Sequence, residues 1–121
     1  MQASRASAAR DYERTPTSAV GSYTNLRGDE VEIEYRDLAQ GGCRVHDPES
    51  GLQFGSQVNL MIEGTGPILA EVAWRQGEDA GLEFMKLLPE QMYRHLIAEE
   101  WELARKAPVE ERTVYTVRRM I

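Results

Sequence analysis

"VEIEYRDLAQGGCRV", residues 31–45, decides the fold. Val31, Ile33 and Tyr35 alternate with Glu32, Glu34 and Arg36. That period of two lines one face of a strand with apolar side chains and the other with charges. Gly41 and Gly42 then permit a tight reversal, because glycine reaches positive φ without steric cost, and Cys43 and Val45 resume the alternation. A reversal alone does not require Arg36, Asp37 or Arg44. An aspartate in Asp37's place can cap the backbone two residues on. Its carboxylate can equally accept two parallel N–H donors, such as N1–H and N2–H of guanine, and the glycines can let another molecule approach the backbone.

The same pattern extends outward in both directions. Leu26 and the turn-like "RGDE" make 18–26 the hairpin partner of the strand at 31–35. Val58, Leu60 and Ile62 alternate again; Ile68, Ala70, Val72 and Trp74 are expected on one face of the next strand, and Ala80, Leu82 and Phe84 follow. "HDPESG", "EGTGP" and "RQGED" separate these runs as loops and turns. About six short strands with regular turn signals predict a mainly β fold, a small antiparallel barrel or sandwich.

From Pro89 the period changes. Met92, Tyr93, Leu96, Ile97, Trp101 and Ala104 form a helical stripe, with Glu90 at the favourable N-terminal end and Arg105 and Lys106 at the C-terminal end. The spacing predicts one helix of about five turns over 89–106. Residues 1–15 are rich in Ala, Ser and Arg with nothing to bury, and are expected to be a mobile arm that something outside the domain must order. The expected organisation is therefore an arm (1–15), a barrel (16–88), a helix (89–106) and a tail (107–121).

Composition narrows the function. With 121 residues there is room for one domain, and 28% charged against 41% hydrophobic residues favours a folded one. A net charge of −6 argues against a general DNA or RNA binder, which needs an excess of cations against phosphates, but leaves room for a small anion held by placed arginines. A single cysteine, no apolar run long enough to span a membrane and no signal-like apolar segment at the N-terminus lead to the expectation of a cytoplasmic protein without membrane insertion.

Few residues can carry chemistry. Arg10 and Arg14 are four apart, a spacing that puts two guanidinium forks on one face of either a helix or a strand. Such forks match phosphate oxygens and the guanine edge, although loose pairing with Asp11 and Glu13 explains the spacing as well. Arg36 and Arg44 flank Asp37; either could add positive charge to the site if Asp37 faces outwards, but salt bridges to nearby glutamates are their expected role. Cys43 and His46 would point to opposite faces of a strand, so a buried thiol and a surface histidine are expected rather than a metal site. Trp74 and Trp101 are expected to be core or helix-packing residues. No phosphate-binding loop, zinc-protease or nucleophile-elbow motif occurs, so no enzyme and no cofactor is expected.

Taken together, "RDYER" (Arg10, Arg14), "DLAQGG" (Asp37 to Gly42), "EVAWR" around Trp74 and "GLEF" at 81–84, in that order, resemble the PilZ domain, a bacterial receptor for cyclic di-GMP. The family motif is RxxxR followed by [D/N]xSxxG. The resemblance covers roughly residues 10–100. It implies a six-stranded antiparallel barrel with one C-terminal helix, and a ligand on the outer face under the N-terminal arm. Cyclic di-GMP would then lie against Arg10, Arg14, Asp37, Ala39 and Gly42. The arginines would grip phosphates and guanine edges, Asp37 would read a base, and ordering of the arm would be sensed by a protein partner. Ala39 stands where the family usually has serine. One lost hydroxyl is worth about 0.5–1.5 kcal/mol, an expected three- to tenfold loss of affinity. The alternative is a PilZ fold that serves as a protein-interaction adaptor without nucleotide.

Overall fold

The computed structural model describes residues 13–108. Arg10 and the segment 109–121 lie outside them. Among the described residues seven strands precede two helices: β1 (Thr15–Pro16), β2 (Val20–Thr24), β3 (Glu30–Ala39), β4 (Gly42–His46), β5 (Gln57–Ile62), β6 (Thr65–Gln76), β7 (Asp79–Phe84), α1 (Glu90–Ile97) and α2 (Trp101–Lys106). All strand pairings are antiparallel, and the order β3-β2-β5-β6-β7-β4 closes back on β3. The result is a six-stranded barrel, with the short β1 added to the outer end of β3. Closure leaves the six barrel strands without free edges.

The alternation predicted at 31–35 fills this barrel. Ile33 and Tyr35 point inward with Tyr23, Val45, Leu60, Ile62, Val72 and Leu82, all buried. The Tyr35 hydroxyl donates to the Met61 carbonyl at 3.0 Å, so the ring fills the core without stranding a polar group.

Register shifts interrupt the ladders at three places, and two bulges among them set up the site. Tyr35 pairs with Val45 and Asp37 with Arg44, so Arg36 is an extra residue in β3. In unbroken alternation Asp37 would continue the inward series of Ile33 and Tyr35. With the bulge Leu38 takes the inward position, fully buried, and Asp37 turns to the outer face. The second bulge lies in β6, where Val72 pairs with Leu82 but Trp74 with Gly81, leaving Ala73 extra. Trp74 is therefore not on the inner face shared by Ile68, Ala70 and Val72, as the alternation predicted. It is moved outside and is 37% exposed.

The same shift puts Arg75 opposite inward-facing Ala80, at the end of the barrel. There its Nη1 meets the carboxylate of the fully buried Asp47 at 3.0 Å and the Leu52 carbonyl at 3.0 Å. Its Nη2 donates to the Asp47 carbonyl at 2.7 Å and to Ser50 Oγ at 3.2 Å. Asp47 also accepts from the Leu52 amide at 2.9 Å. The "HDPESG" stretch is thus a loop, as its composition predicted, tied down by one arginine, with Leu52 plugging the barrel end.

The single predicted helix is two. α1 ends at Ile97, Glu99 takes a left-handed φ of 60°, and the chain restarts as α2 at Trp101. Glu100 makes the break self-sustaining: its amide donates to the His95 carbonyl at 2.9 Å and its carboxylate meets His95 Nδ1 at 2.8 Å. The change of direction buries both Leu96 and Ala104 in the core and brings Arg105 to the Glu63 carbonyl at 2.7 Å. Trp101 packs partly buried against the core, as the stripe predicted.

Burial pushes the Tyr35 phenol well above its usual range, with Cys43 adding to the shift, and raises the Cys43 thiol as well. The Tyr23 phenol is also raised, by burial first and then by Asp47. All three raised acids keep their protons in the fold at pH values where the unfolded chain releases them. Their stabilisation is fully present below the ordinary values of 9.0 for the thiol and 10.0 for the phenols, and is lost as pH rises beyond them. Urea midpoints measured between about pH 8 and 11 should hold steady and then fall steeply. A flat profile would mean that these groups are not buried in their neutral forms.

Candidate functional site

The outer face carries one continuous row across four strands. Asp37 on β3 pairs with Arg44 on β4, Arg44 with Gly81 on β7, and Gly81 with Trp74 on β6. Gly81 has no side chain to project into this row, and the Trp74 indole lies where its Cβ would be. Any side chain there would have to expel the ring. The row therefore runs from a carboxylate through a guanidinium to a half-exposed aromatic plane.

Asp37 is held from both sides. Arg14, beside β1, donates from Nη1 to Asp37 Oδ1 at 2.7 Å; Arg44 donates from Nε to Oδ2 at 3.1 Å. The two arginines stay more than a third exposed while the carboxylate between them is 13% exposed. Arg44 continues to Asp79 Oδ2 at 3.2 Å, and His46 Nδ1 lies 3.3 Å from the other Asp79 oxygen. Arg36, by contrast, pairs with Glu34 at 3.4 Å, the glutamate partnership expected of both flanking arginines. Arg44 departs from that expectation by taking two aspartates.

β1 delivers Arg14 to this face. Thr15 pairs with Leu38 and Pro16 with Asp37, so the residue just before the strand sits over the carboxylate. From the other side the Tyr93 hydroxyl of α1 donates to the Glu13 carbonyl at 3.2 Å. The root of the arm is therefore fixed by a strand and a helix together.

The remaining residues of the second motif behave differently. Ala39 lies two residues after Asp37 on the same strand but is 1% exposed. A Cβ at Gly42 would run into the Leu82 carbonyl, so this glycine makes room for the backbone of β7. Among the described residues that is its evident requirement, and Arg10 lies outside them. Cys43 points inward and His46 outward, as the strand parity predicted. Among the described residues no group of three or more His, Cys, Asp or Glu is placed to hold a metal.

A cavity of about 810 Å³ lies elsewhere on the barrel wall, among Glu30, Glu32 and Glu34 of β3. Three carboxylates there oppose any phosphate, whereas the Arg14–Asp37–Arg44 face presents two guanidiniums to one. Sequence reasoning favoured other roles for two of its members, Arg44 and Trp74. The signal was present: Asp37 continues the inward parity of Ile33 and Tyr35, and a charge at a core position is what a bulge relieves.

The PilZ domain family model matches residues 8–99. The chain belongs to the PilZ domain family. PilZ domains are a family of cyclic di-GMP receptors. A crystal structure of the PilZ domain of CeSA from a cellulose-synthesizing bacterium superposes with a TM-score of 0.55 at 17% identity, covering 73% of this chain and 97% of that one. That likeness concerns the fold. No curated protein matches the chain. No helix among the described residues of this PilZ domain is long and apolar enough to cross a membrane.

Proposed function

We propose that this PilZ domain binds cyclic di-GMP on the outer face of the barrel. The observation that carries the reading is the Asp37 carboxylate, turned outward by the Arg36 bulge and held between Arg14 and Arg44. A carboxylate has about four lone-pair sites, so one occupied once from each side still has room for guanine N1–H and N2–H. Arg14 and Arg10 grip phosphate oxygens, Arg44 holds Asp37 in place, and the exposed Trp74 face offers a surface for a base. A ligand that engages Arg14 competes with Asp37 for it, so binding redistributes the ion pairs around the root of the arm. Through Tyr93 that change is connected to α1 and to a partner protein that reads it. The domain acts in this reading as a cytoplasmic receptor rather than an enzyme, with the nucleotide as ligand and no metal or further cofactor.

Calorimetric titration with cyclic di-GMP tests the proposal directly. Saturable heat is the expected result. Its absence would favour the nucleotide-free adaptor, for which Ala39 and the prior engagement of Asp37 by the protein's own arginines both speak.

Ala39 supplies a finer prediction. Restoring serine should raise affinity about three- to tenfold, the effect of one hydrogen bond of about 0.5–1.5 kcal/mol. The same titration with Ala39→Ser checks this. Unchanged affinity would take position 39 out of the contact surface, in keeping with its burial in the free protein.

A further inference from the structure

A groove of about 500 Å³ opens between the start of β6, the 85–89 loop and the two helices. Its walls are apolar and unusually open: Leu69, Met85 and Leu87 are 44%, 47% and 49% exposed. Together they form a contiguous patch of the kind that marks interaction surfaces. Among the described residues two charged ones line it, Lys86 and Arg105, on a chain whose net charge is −6. Lys86 has no ion-pair partner among the described residues, and Arg105 spends one N–H on the Glu63 carbonyl. At the base Thr65 is 2% exposed, and its hydroxyl lacks a hydrogen-bond partner among the described residues.

We propose that this groove docks an acidic, apolar segment of a partner protein, with leucine-like side chains against Leu69, Met85 and Leu87 and carboxylates on Lys86 and Arg105. Charge selects this occupant over the two nearer ones. A second copy meeting the groove face to face would bring two cationic patches together, since a two-fold contact pairs a patch with its own copy. The chain's own segment 109–121 carries Arg112, Arg118 and Arg119 against Glu110 and Glu111, an excess of one positive charge that a cationic rim would repel. An acidic segment satisfies both cations and gains the apolar contact area as well. The proposal does not depend on nucleotide binding.

The test is fluorescence anisotropy of the full chain with a short labelled peptide alternating leucine and glutamate, beside its leucine–lysine counterpart. The acidic peptide should bind about tenfold or more tightly than the basic one, the value of one charge-assisted contact. Lys86→Glu should erase that preference, and Leu87→Asp should abolish binding of both. Because Leu87 is half exposed, its variant should keep the thermal midpoint of the parent. Equal binding of the two peptides, or none, overturns the proposal. So does a gain of about tenfold in affinity when Val114 and Val117 are both changed to aspartate, which would make the chain's own segment the occupant. A dimer in sedimentation that Leu87→Asp dissolves would replace the partner by a second copy. Binding to anionic lipid vesicles that Leu87→Asp removes would replace it by a membrane.

Discussion

Arg75→Met should lower the unfolding free energy by about 3–5 kcal/mol, a large part of the 5–15 kcal/mol typical of a domain. The guanidinium is 14% exposed and the Asp47 carboxylate facing it 0%, so removing the cation leaves a buried anion with no compensating charge. The Leu52 carbonyl loses this donor in the same step, and the Asp47 carbonyl is left with the Ser50 amide. Methionine keeps most of the volume, so the cost is electrostatic rather than a cavity. In urea the midpoint should fall with little change in slope. Replacing both partners, Arg75→Met with Asp47→Leu, should recover much of the loss, because two well-packed apolar groups avoid the desolvation that an ion pair must offset. A single variant within about 1 kcal/mol of the parent would mean that water already reaches the barrel end.

Arg14→Ala should weaken cyclic di-GMP about ten- to a hundredfold while hardly changing stability. Hydrogen bonds to charged groups contribute about 1.5–3 kcal/mol each, which at about 1.4 kcal/mol per decade gives that range. The Arg14–Asp37 pair is partly open to solvent, and such pairs contribute about 0–1 kcal/mol to folding. Titration together with a thermal melt separates the two effects. Arg44→Ala provides the contrast. It frees one Asp37 oxygen and removes one of Asp79's partners, leaving His46 beside it, so it should weaken binding less than the loss of Arg14. Parent-like affinity of Arg14→Ala would place the ligand away from Asp37.

The barrel was legible in the sequence because its core positions keep strict alternation: Ile33 and Tyr35, Val58 and Leu60, Ala80 and Leu82 all lie where the period of two puts them. The two bulges were not, since Arg36 and Ala73 look like ordinary members of their strands. Yet each shifts the parity of the residues after it, and Asp37, Trp74 and Arg75 owe their positions to that shift. The break between α1 and α2 was hidden for a similar reason. Leu96 and Ala104 fit one stripe, and only Glu99 at positive φ, an uncommon state for a side-chain-bearing residue, reveals the turn. The pair Asp47–Arg75 joins a loop to a strand end 28 residues away, a distance at which spacing carries no information.

Cys43 sits on β4 between β3 and β7, buried, with its thiol held neutral by burial. The thiolate is the reactive form, and reaching the sulfur requires strands of the closed barrel to part. The chain's single cysteine is therefore a built-in clock for global opening, started by any thiol reagent and indifferent to local fraying. A ligand bound only to the folded state slows that clock by the factor 1 + [L]/Kd, so at about a hundred times Kd labelling slows about a hundredfold. Occupancy of the outer face can thus be timed from a sulfur atom at the centre of the molecule, with no label on the nucleotide or its site.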